Sequence, residues 1–335
     1  MLLSVESSKR SYYITIKYNL LDEIENYLEV LDSYVLISDD LIPNEIITRI
    51  TDKLTNCDVI RFPSGEQSKS LLEYNRLIET LIEKGITRQT KLIALGGGVT
   101  GDLVGFIAST VYRGIDYIQI PTSLLAMIDS SVGGKVGINT KYAKNSIGAI
   151  YPPIKVLIDP STLSSLPVRH FNNGMAELIK YGMIASKPLF DSIKNININI
   201  DMSSYIYQAL MIKKHFVESD EFDFGIRQTL NFGHTFGHAY ESYYNYQKYL
   251  HGEAVALGML IMTDESIRYD LEVVLKQFSL PIEDPLKPKD LLEYIKKDKK
   301  SKKSEINLVK VKEIGFACIE ETRFDNLLTK EGLVK

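Results

Sequence analysis

The sequence predicts an α/β N-terminal Rossmann-like domain with a mainly parallel sheet, followed by an all-helical C-terminal metal-binding domain. Three observations lead there. Short β-rich runs alternate with helical patterns through the first half, and from Phe171 to about Arg268 almost every stretch is compatible with helix. The 335 residues also exceed the roughly 250–300 at which a single core stops growing. The division is expected after residue 160, giving a 1–160 α/β domain and a 161–335 helical domain. A cleft between the two is the default place for a ligand.

Taken in order, Ser11–Leu20 adds one or two outer strands. Tyr34–Ser38 (YVLIS) is an apolar run of strand length, and Asn44–Leu54 follows with helical spacing. Asp58–Phe62 is the next strand, and Leu71–Glu83 the next helix. Lys91–Leu95 (KLIAL), Tyr117–Ile120 and Lys155–Asp159 (KVLID) complete the strand set. Strands separated by helices of about ten to fifteen residues imply βαβ units, hence a parallel sheet. The later helical region breaks at Lys187-Pro188 and around Asn195–Asp201.

Composition narrows the function. Thirty-nine Lys and Arg against 43 Asp and Glu give a net charge of −4, without the basic footprint that nucleic acid requires. The longest apolar stretch, Ala254–Met262, is too short to span a bilayer. Only two cysteines, Cys57 and Cys318, rule out a disulfide framework and fit a reducing, cytoplasmic setting. The N-terminal residues lack the apolar core of a secretory signal. The run Lys296–Lys303 reads on charge alone as a solvated loop.

Several motifs carry chemistry. Gly96-Gly97-Gly98-Val99-Thr100-Gly101-Asp102 follows a strand and opens an apolar helix, satisfying G-x-G-x-x-G in its strand–turn–helix setting. Glycines there let backbone N–H groups approach a pyrophosphate, whose charge the helix N-terminus favours. Asp116, 15 positions past Gly101, does not clearly supply the usual ribose acid. Ser64-Gly65-Glu66-Gln67-Ser68-Lys69 lies just past a strand at the same end of the sheet, where ligands collect. Asp129-Ser-Ser-Val-Gly-Gly-Lys135 surrounds a lysine with small residues, and Lys144-Asn145 and Arg113-Gly114 add donors for a doubly charged anion. Glu177 and Lys180 share a helix face, which on its own reads as a surface ion pair.

Of five histidines, His234, His238 and His251 fall within one short stretch, with glycines nearby. Zinc takes imidazole nitrogens and carboxylate oxygens, and catalytic sites keep one position open. Position 235 is Thr, so the H-E-x-x-H glutamate is missing. The acidic ligand has to come from elsewhere, and Glu177 is a candidate.

Together these segments resemble the sugar phosphate cyclase family, and within it the 3-dehydroquinate synthases. The resemblance rests on GGGVTGDLVGFIAS, RGIDYIQIPTSLLAMIDSSVGGKVGIN, KNSIGA, LPVRHFNNGMAELIKYG, LNFGHTFGHAYE and HGEAVALGM in family order. It implies zinc, with cobalt as an alternative, on Glu177, His234 and His251. It implies NAD contacts at Asp39, Ser64, Gly65, Glu66, Gln67, Ser68, Lys69, Gly98, Val99, Thr100, Gly101, Asp102, Thr122, Ser123, Thr162, Leu163, Ser164 and Ser165, with Lys135 and Lys144 nearby. Substrate contacts are implied at Asp129, Lys135, Lys144, Asn145, Lys180, Lys213, Arg227, Asn231 and His238. Arg113 is expected to reach the site from the partner subunit of a homodimer, and one lysine of Lys299-Lys300 to approach the substrate.

Three departures are small: Ser123 stands for Thr, Ser165 for Thr, and Asp223 for Glu in Asp220-Glu221-Phe222-Asp223. The implied reaction turns 3-deoxy-D-arabino-heptulosonate 7-phosphate into 3-dehydroquinate and phosphate, through transient oxidation by NAD, elimination, reduction and aldol closure. Rival readings are another cyclase such as a 2-deoxy-scyllo-inosose synthase, a metal-dependent polyol dehydrogenase, and a non-catalytic sugar-phosphate-binding protein.

Overall fold

The structure, a computed structural model, describes residues 1–30, 32–196, 201–298, 305–323 and 327. The chain forms two compact units. One comprises Met1–Leu166 with Asp201–Lys214, the other Pro167–Ile200 with His215–Lys335.

The first unit is built on a seven-stranded sheet. In chain order its elements are β1 (Leu2–Val5), β2 (Tyr12–Ile16), β3 (Ser33–Asp39), α1 (Asn44–Thr51), β4 (Asn56–Phe62), α2 (Leu71–Glu83), β5 (Lys91–Gly96), α3 (Gly98–Thr110) and β6 (Tyr117–Pro121). A hairpin of β7 (Lys135–Ile138) and β8 (Ile147–Ile150) precedes the last sheet strand, β9 (Lys155–Ile158). The sheet order is β1-β2-β9-β6-β5-β3-β4, parallel throughout except for the β1–β2 edge pair.

Alternation along the strands splits the core onto two faces. Val35, Ile37, Leu92 and Ala94 pack with Leu77, Leu81, Leu103 and Ile107 from α2 and α3. Leu36, Ile93, Leu95, Ile118 and Ile120 pack with Ile46, Ile47 and Ile50 of α1. Burying one such aliphatic side chain contributes on the order of 2 kcal/mol, so helices on both faces account for the near-continuous apolar strands.

The expected division after residue 160 lies inside this unit. Asp159, fully buried, accepts from the backbone N–H groups of Asn19 (2.8 Å), Leu21 (3.1 Å) and Ser161 (3.0 Å), and pairs with Arg49 at 3.0 Å. Those bonds tie the turn Pro160–Ser165 to the sheet domain. Residues 201–214 also group with the first unit, where Lys213 bonds Asp129.

The second unit contains α4 (Val168–Ala185), α5 (Lys187–Ile193), the end of α6 (Ser203–Ser219), α7 (His234–Tyr243), α8 (His251–Ile261), α9 (Glu265–Gln277) and α10 (Leu292–Asp298). The all-helical expectation needs one amendment. An antiparallel hairpin, β10 (Glu305–Glu313) and β11 (Phe316–Arg323), follows the helices. Buried apolar residues lie on both of its faces, Ile306 and Leu308 on one and Val309 and Val311 on the other. Among the described residues no helix is long and apolar enough to cross a membrane. Both cysteines are free thiols.

Helix α4 packs against α8, and α8 against α7. Gly237 makes the second contact possible: a Cβ there would stand 3.1 Å from the main chain of Val255. That close approach sets the spacing of the helices that carry the clustered histidines.

Candidate functional site

In the first unit the chain leaves β3 toward β4 on one side and leaves β5 toward β6 on the other. The carboxyl ends of β3 and β5 therefore flank a topological switch point, the place where open parallel sheets bind ligands. Asp39 ends β3, and the glycine loop follows β5 into α3. Thr100 donates to the Asp39 carboxylate at 3.3 Å, and the Thr122 N–H donates to the Gly96 carbonyl at 3.0 Å. A Cβ at Gly98 would lie 3.0 Å from the Ser130 hydroxyl, so that position presents main chain only. The first N–H groups of α3 have no acceptor within the helix, which suits an anion such as a pyrophosphate. Asp116 belongs to the other end of the sheet. It precedes β6 and pairs with Arg10 at 2.6 Å, so it is not the acid beside the loop.

The Ser64–Lys69 segment forms a turn whose last residue is buried. The Lys69 ammonium donates to Asp102 (2.6 Å) and to the Asn145 side chain (2.5 Å). Burial raises the Asp102 carboxyl above its usual range, and the Lys69 charge opposes that rise. Asn139 joins the network, donating from its side chain to Glu66 (2.7 Å) and from its backbone to the Lys69 carbonyl (2.8 Å). The Asn145 N–H in turn donates to the Asn139 side chain at 2.8 Å. Lys69 and Asn145, assigned separately to cofactor and substrate, are thus bonded to each other.

Asp129 lies in a π-helical turn, Ala126–Ser130, a geometry that often marks functional sites. The Lys213 ammonium meets its carboxylate at 2.7 Å and its carbonyl as well. Lys135 opens β7 on an exposed position, while Arg113 sits exposed at φ 66° beside Tyr112 at φ 49°. In the turn after β9, the hydroxyls of Thr162 and Ser165 donate to the carbonyls of Asp159 and Thr162, each at 2.8 Å, and Ser164 donates to Ser161 at 2.7 Å. Those hydroxyls shape their own turn, leaving that turn's surface as its contribution.

The second unit assembles the histidines. His234 and His251 are the first residues of α7 and α8, and Glu177 stands fully buried in the middle of α4. Both Nε2 atoms converge on one carboxylate oxygen: Glu177 Oε1 is 3.5 Å from His234 and 3.6 Å from His251. The other oxygen pairs with the Lys180 ammonium at 2.5 Å, which also donates to the Leu230 carbonyl at 2.8 Å. The expected surface ion pair is instead buried, because α4 turns that face inward. On the far side of each ring, His234 Nδ1 meets the Phe232 carbonyl at 3.1 Å and His251 Nδ1 meets the Glu241 carboxylate at 3.5 Å.

Their environments differ. Burial, reinforced by the Lys180 charge, holds the His234 imidazolium down to about 3. For His251, burial also disfavours the charge, but Glu177 and Glu241 outweigh it and push the ring up to about 10. Glu177, His234 and His251 each offer a ligand atom, all within 4.8 Å of one another. One carboxylate and two imidazoles are the donor set of an open zinc or cobalt site. His238 lies one turn along α7, its ring 5.5 Å from that of His234 and 5.9 Å from that of His251.

The helix starts are braced. The Arg169 guanidinium makes two parallel bonds to Glu253, at 2.7 and 2.8 Å, and the Gly252 N–H donates to the Asn173 side chain at 2.6 Å. Both contacts fix the beginning of α8, hence His251, against the helix that carries Glu177. Arg227 is buried and donates to the Glu221 carbonyl at 2.7 Å, while Asp220 accepts from the N–H groups of Phe224, Gly225 and Arg227. Asn231 is the last residue of the turn before α7. Lys299 and Lys300 lie outside the described residues.

The family descriptions 3-dehydroquinate synthase N-terminal and 3-dehydroquinate synthase C-terminal match residues 59–173 and 174–301. The chain belongs to the 3-dehydroquinate synthase family. The 3-dehydroquinate synthase of Dictyoglomus thermophilum is 42% identical over 335 residues, covering 95% of this chain and 94% of that one. A crystal structure of 2-deoxy-scyllo-inosose synthase with carbaglucose-6-phosphate, NAD+ and Co2+ superimposes with a TM-score of 0.87 at 25% identity, covering 97% of each chain. A 2-epi-5-epi-valiolone synthase from Streptomyces hygroscopicus, solved with NAD+ and Zn2+, shares the fold with a TM-score of 0.85 at 23% identity over 94% of each chain. Within this family, the glycine loop and the Glu177 cluster occupy the N-terminal and C-terminal matches respectively.

Two residues beside these groups have little local signal in the sequence: Asp39, which the family resemblance named, and Glu241, which it did not. Asp39 precedes the glycine loop by more than fifty positions and joins it only because β3 and β5 are neighbours. Glu241 carried a signal that was present but unused: it is seven positions after His234, so both share a face of α7.

Proposed function

We propose that the chain is a 3-dehydroquinate synthase, converting 3-deoxy-D-arabino-heptulosonate 7-phosphate to 3-dehydroquinate and phosphate, with NAD and a divalent metal as cofactors. The observation that carries this reading is the convergence of His234 and His251 on buried Glu177 in a chain matching the family from residue 59 to 301. Bound NAD supplies a reversible hydride acceptor, and the metal supplies an electrophile that lowers the pKa of a substrate hydroxyl.

The protein's residues do the rest. Glu177, His234 and His251 would hold the metal. Lys180 balances the Glu177 charge inside the core. Asp39 and the Gly98–Asp102 helix start hold the dinucleotide, organised by Lys69. Lys213, Arg227, Asn231 and Lys180 orient the substrate carboxylate and hydroxyls, chiefly by positioning. Lys135, Lys144 and Asn145, with Arg113 supplied across a homodimer, hold the phosphate, whose own oxygen accepts the proton lost in elimination. Asp129 holds Lys213 in place. The free thiols fit a cytoplasmic location.

His238 moves a proton rather than holding the metal. His238→Ala is expected to keep one zinc per chain while turnover falls by roughly 10²–10⁴-fold, the range for loss of a general acid–base group. Zinc loss in that variant would make it a ligand instead. Substrate choice is tested by product analysis with the seven-carbon keto-acid phosphate and with glucose 6-phosphate. Cyclisation of the first alone is expected, since buried Lys213 and Arg227 suit a carboxylate. Cyclisation of the hexose phosphate alone would assign the chain to 2-deoxy-scyllo-inosose synthesis.

A further inference from the structure

We propose that Glu241 is a positioning residue for the metal centre: its carboxylate holds the His251 ring so that Nε2 faces Glu177, and it is not itself a ligand. The inference rests on the metal reading above and goes one shell beyond it. His234, His238 and Glu241 are spaced i, i+4, i+7 and lie on one face of α7, toward the start of α8. The Glu241 side chain is only 7% exposed, a setting in which a carboxylate needs a cationic or donor partner. His251 Nδ1 faces its Oε2 at 3.5 Å, and the opposite ring nitrogen faces Glu177 Oε1 at 3.6 Å.

A neutral imidazole carries one N–H, and the nitrogen facing a fixed acceptor keeps it, leaving the other as the ligand. The two rings are treated alike in this respect. The Phe232 carbonyl, 3.1 Å from His234 Nδ1, selects Nε2 of that ring in the same way. The acceptor on His251 is a full charge rather than a carbonyl dipole, so it also strengthens that ligand's basicity.

The alternative is a competing donor group. His238, Glu241 and His251 also offer ligand atoms within 4.8 Å of one another. The two groups share His251, whose Nδ1 lies 3.5 Å from Glu241 and whose Nε2 lies 3.6 Å from Glu177. The geometry favours the group containing Glu177, because both His234 and His251 present Nε2 to one oxygen of a carboxylate with no solvent exposure.

The test is zinc affinity of the metal-depleted full chain, measured by competition with a chromophoric chelator, alongside thermal unfolding of the same metal-free protein. Glu241→Ala is expected to weaken zinc by about 10–100-fold and Glu241→Gln, which keeps an acceptor of the same shape, by less, both at one zinc per chain. His238→Ala is expected to stay within a few-fold of the parent, and Glu177→Ala to lose zinc. An unchanged zinc affinity in Glu241→Ala, with only a lower melting temperature, overturns the positioning role while leaving the metal reading intact. Loss of zinc in both Glu241→Gln and His238→Ala, with retention in Glu177→Ala, overturns both, since the second group would then be the site.

Discussion

Replacing Glu177 with alanine is expected to abolish metal binding and turnover together. The side chain is fully buried, pairs with Lys180 at 2.5 Å, and presents one oxygen to both Nε2 atoms. Its removal deletes one of three ligands and the charge that balances the metal. It also leaves the buried Lys180 ammonium without its counterion, beside His234. A loss of about 4 kcal/mol in zinc affinity, roughly a thousandfold, is the expected scale. Glu177→Gln separates chemistry from folding, because it preserves shape and an acceptor for Lys180 while removing the anion. Metal content by atomic emission, with circular dichroism as the fold control, reads the outcome. Full activity in a metal-free Glu177→Ala protein would remove the metal from the account.

The second large effect is expected at Lys69. Its ammonium is 4% exposed as a residue and joins Asp102 with Asn145. Lys69→Met leaves Asp102 without its cation and the Asn145 side chain without its donor, while the bonds of Asn139 to Glu66 and to the Lys69 carbonyl stay in place. Breaking a buried pair from one side costs about 3–5 kcal/mol, reduced here because Asp102 is partly exposed. NAD affinity is expected to fall at least about tenfold, with stability down by about 2–3 kcal/mol. The pH dependence has a definite sign. Burial raises the Asp102 carboxyl, so the folded state takes up a proton more readily than the unfolded chain, and stability contributed by this group falls as pH rises through that window. Without Lys69 the upward shift grows, so the variant's deficit in urea unfolding is expected to be smaller near about pH 4 than near about pH 7. Unchanged NAD affinity in a folded Lys69→Met protein would detach this network from cofactor binding.

Much of the fold was legible because its signals are local. The Tyr34–Ser38 and KLIAL runs, the helix Leu71–Glu83 and the glycine loop each announce themselves within a few residues, and β3, β5, α2 and α3 occupy those positions. The elements that were missed have weak local signals, and the boundary depends on distant partners. The hairpin β7–β8 interrupts a run read as a loop, and β10–β11 follows a charge block that masks its alternation. The unit boundary moved because Asp159 binds the backbone of Asn19 and Leu21, bonds made with the far end of the unit.

The site divides in the same way. The histidine cluster was visible as spacing, whereas its acid lies more than fifty residues upstream and is chosen by the packing of α4 on α8. Glu177 and Lys180 looked like an exposed i, i+3 pair until burial made them part of the centre. The acid beside the glycine loop is Asp39 rather than the downstream Asp116, and only strand order decides that.

In the proposed reaction both cofactors serve a single phosphate release, and NAD is restored each turnover. The most direct measurement is phosphate release from 3-deoxy-D-arabino-heptulosonate 7-phosphate by the full chain depleted of metal and NAD, then resupplied with zinc, NAD, both or neither. One phosphate per substrate is expected only with both present, with no accumulation of NADH absorbance. Undiminished release without either cofactor, or NADH accumulating in step with substrate consumption, would contradict it.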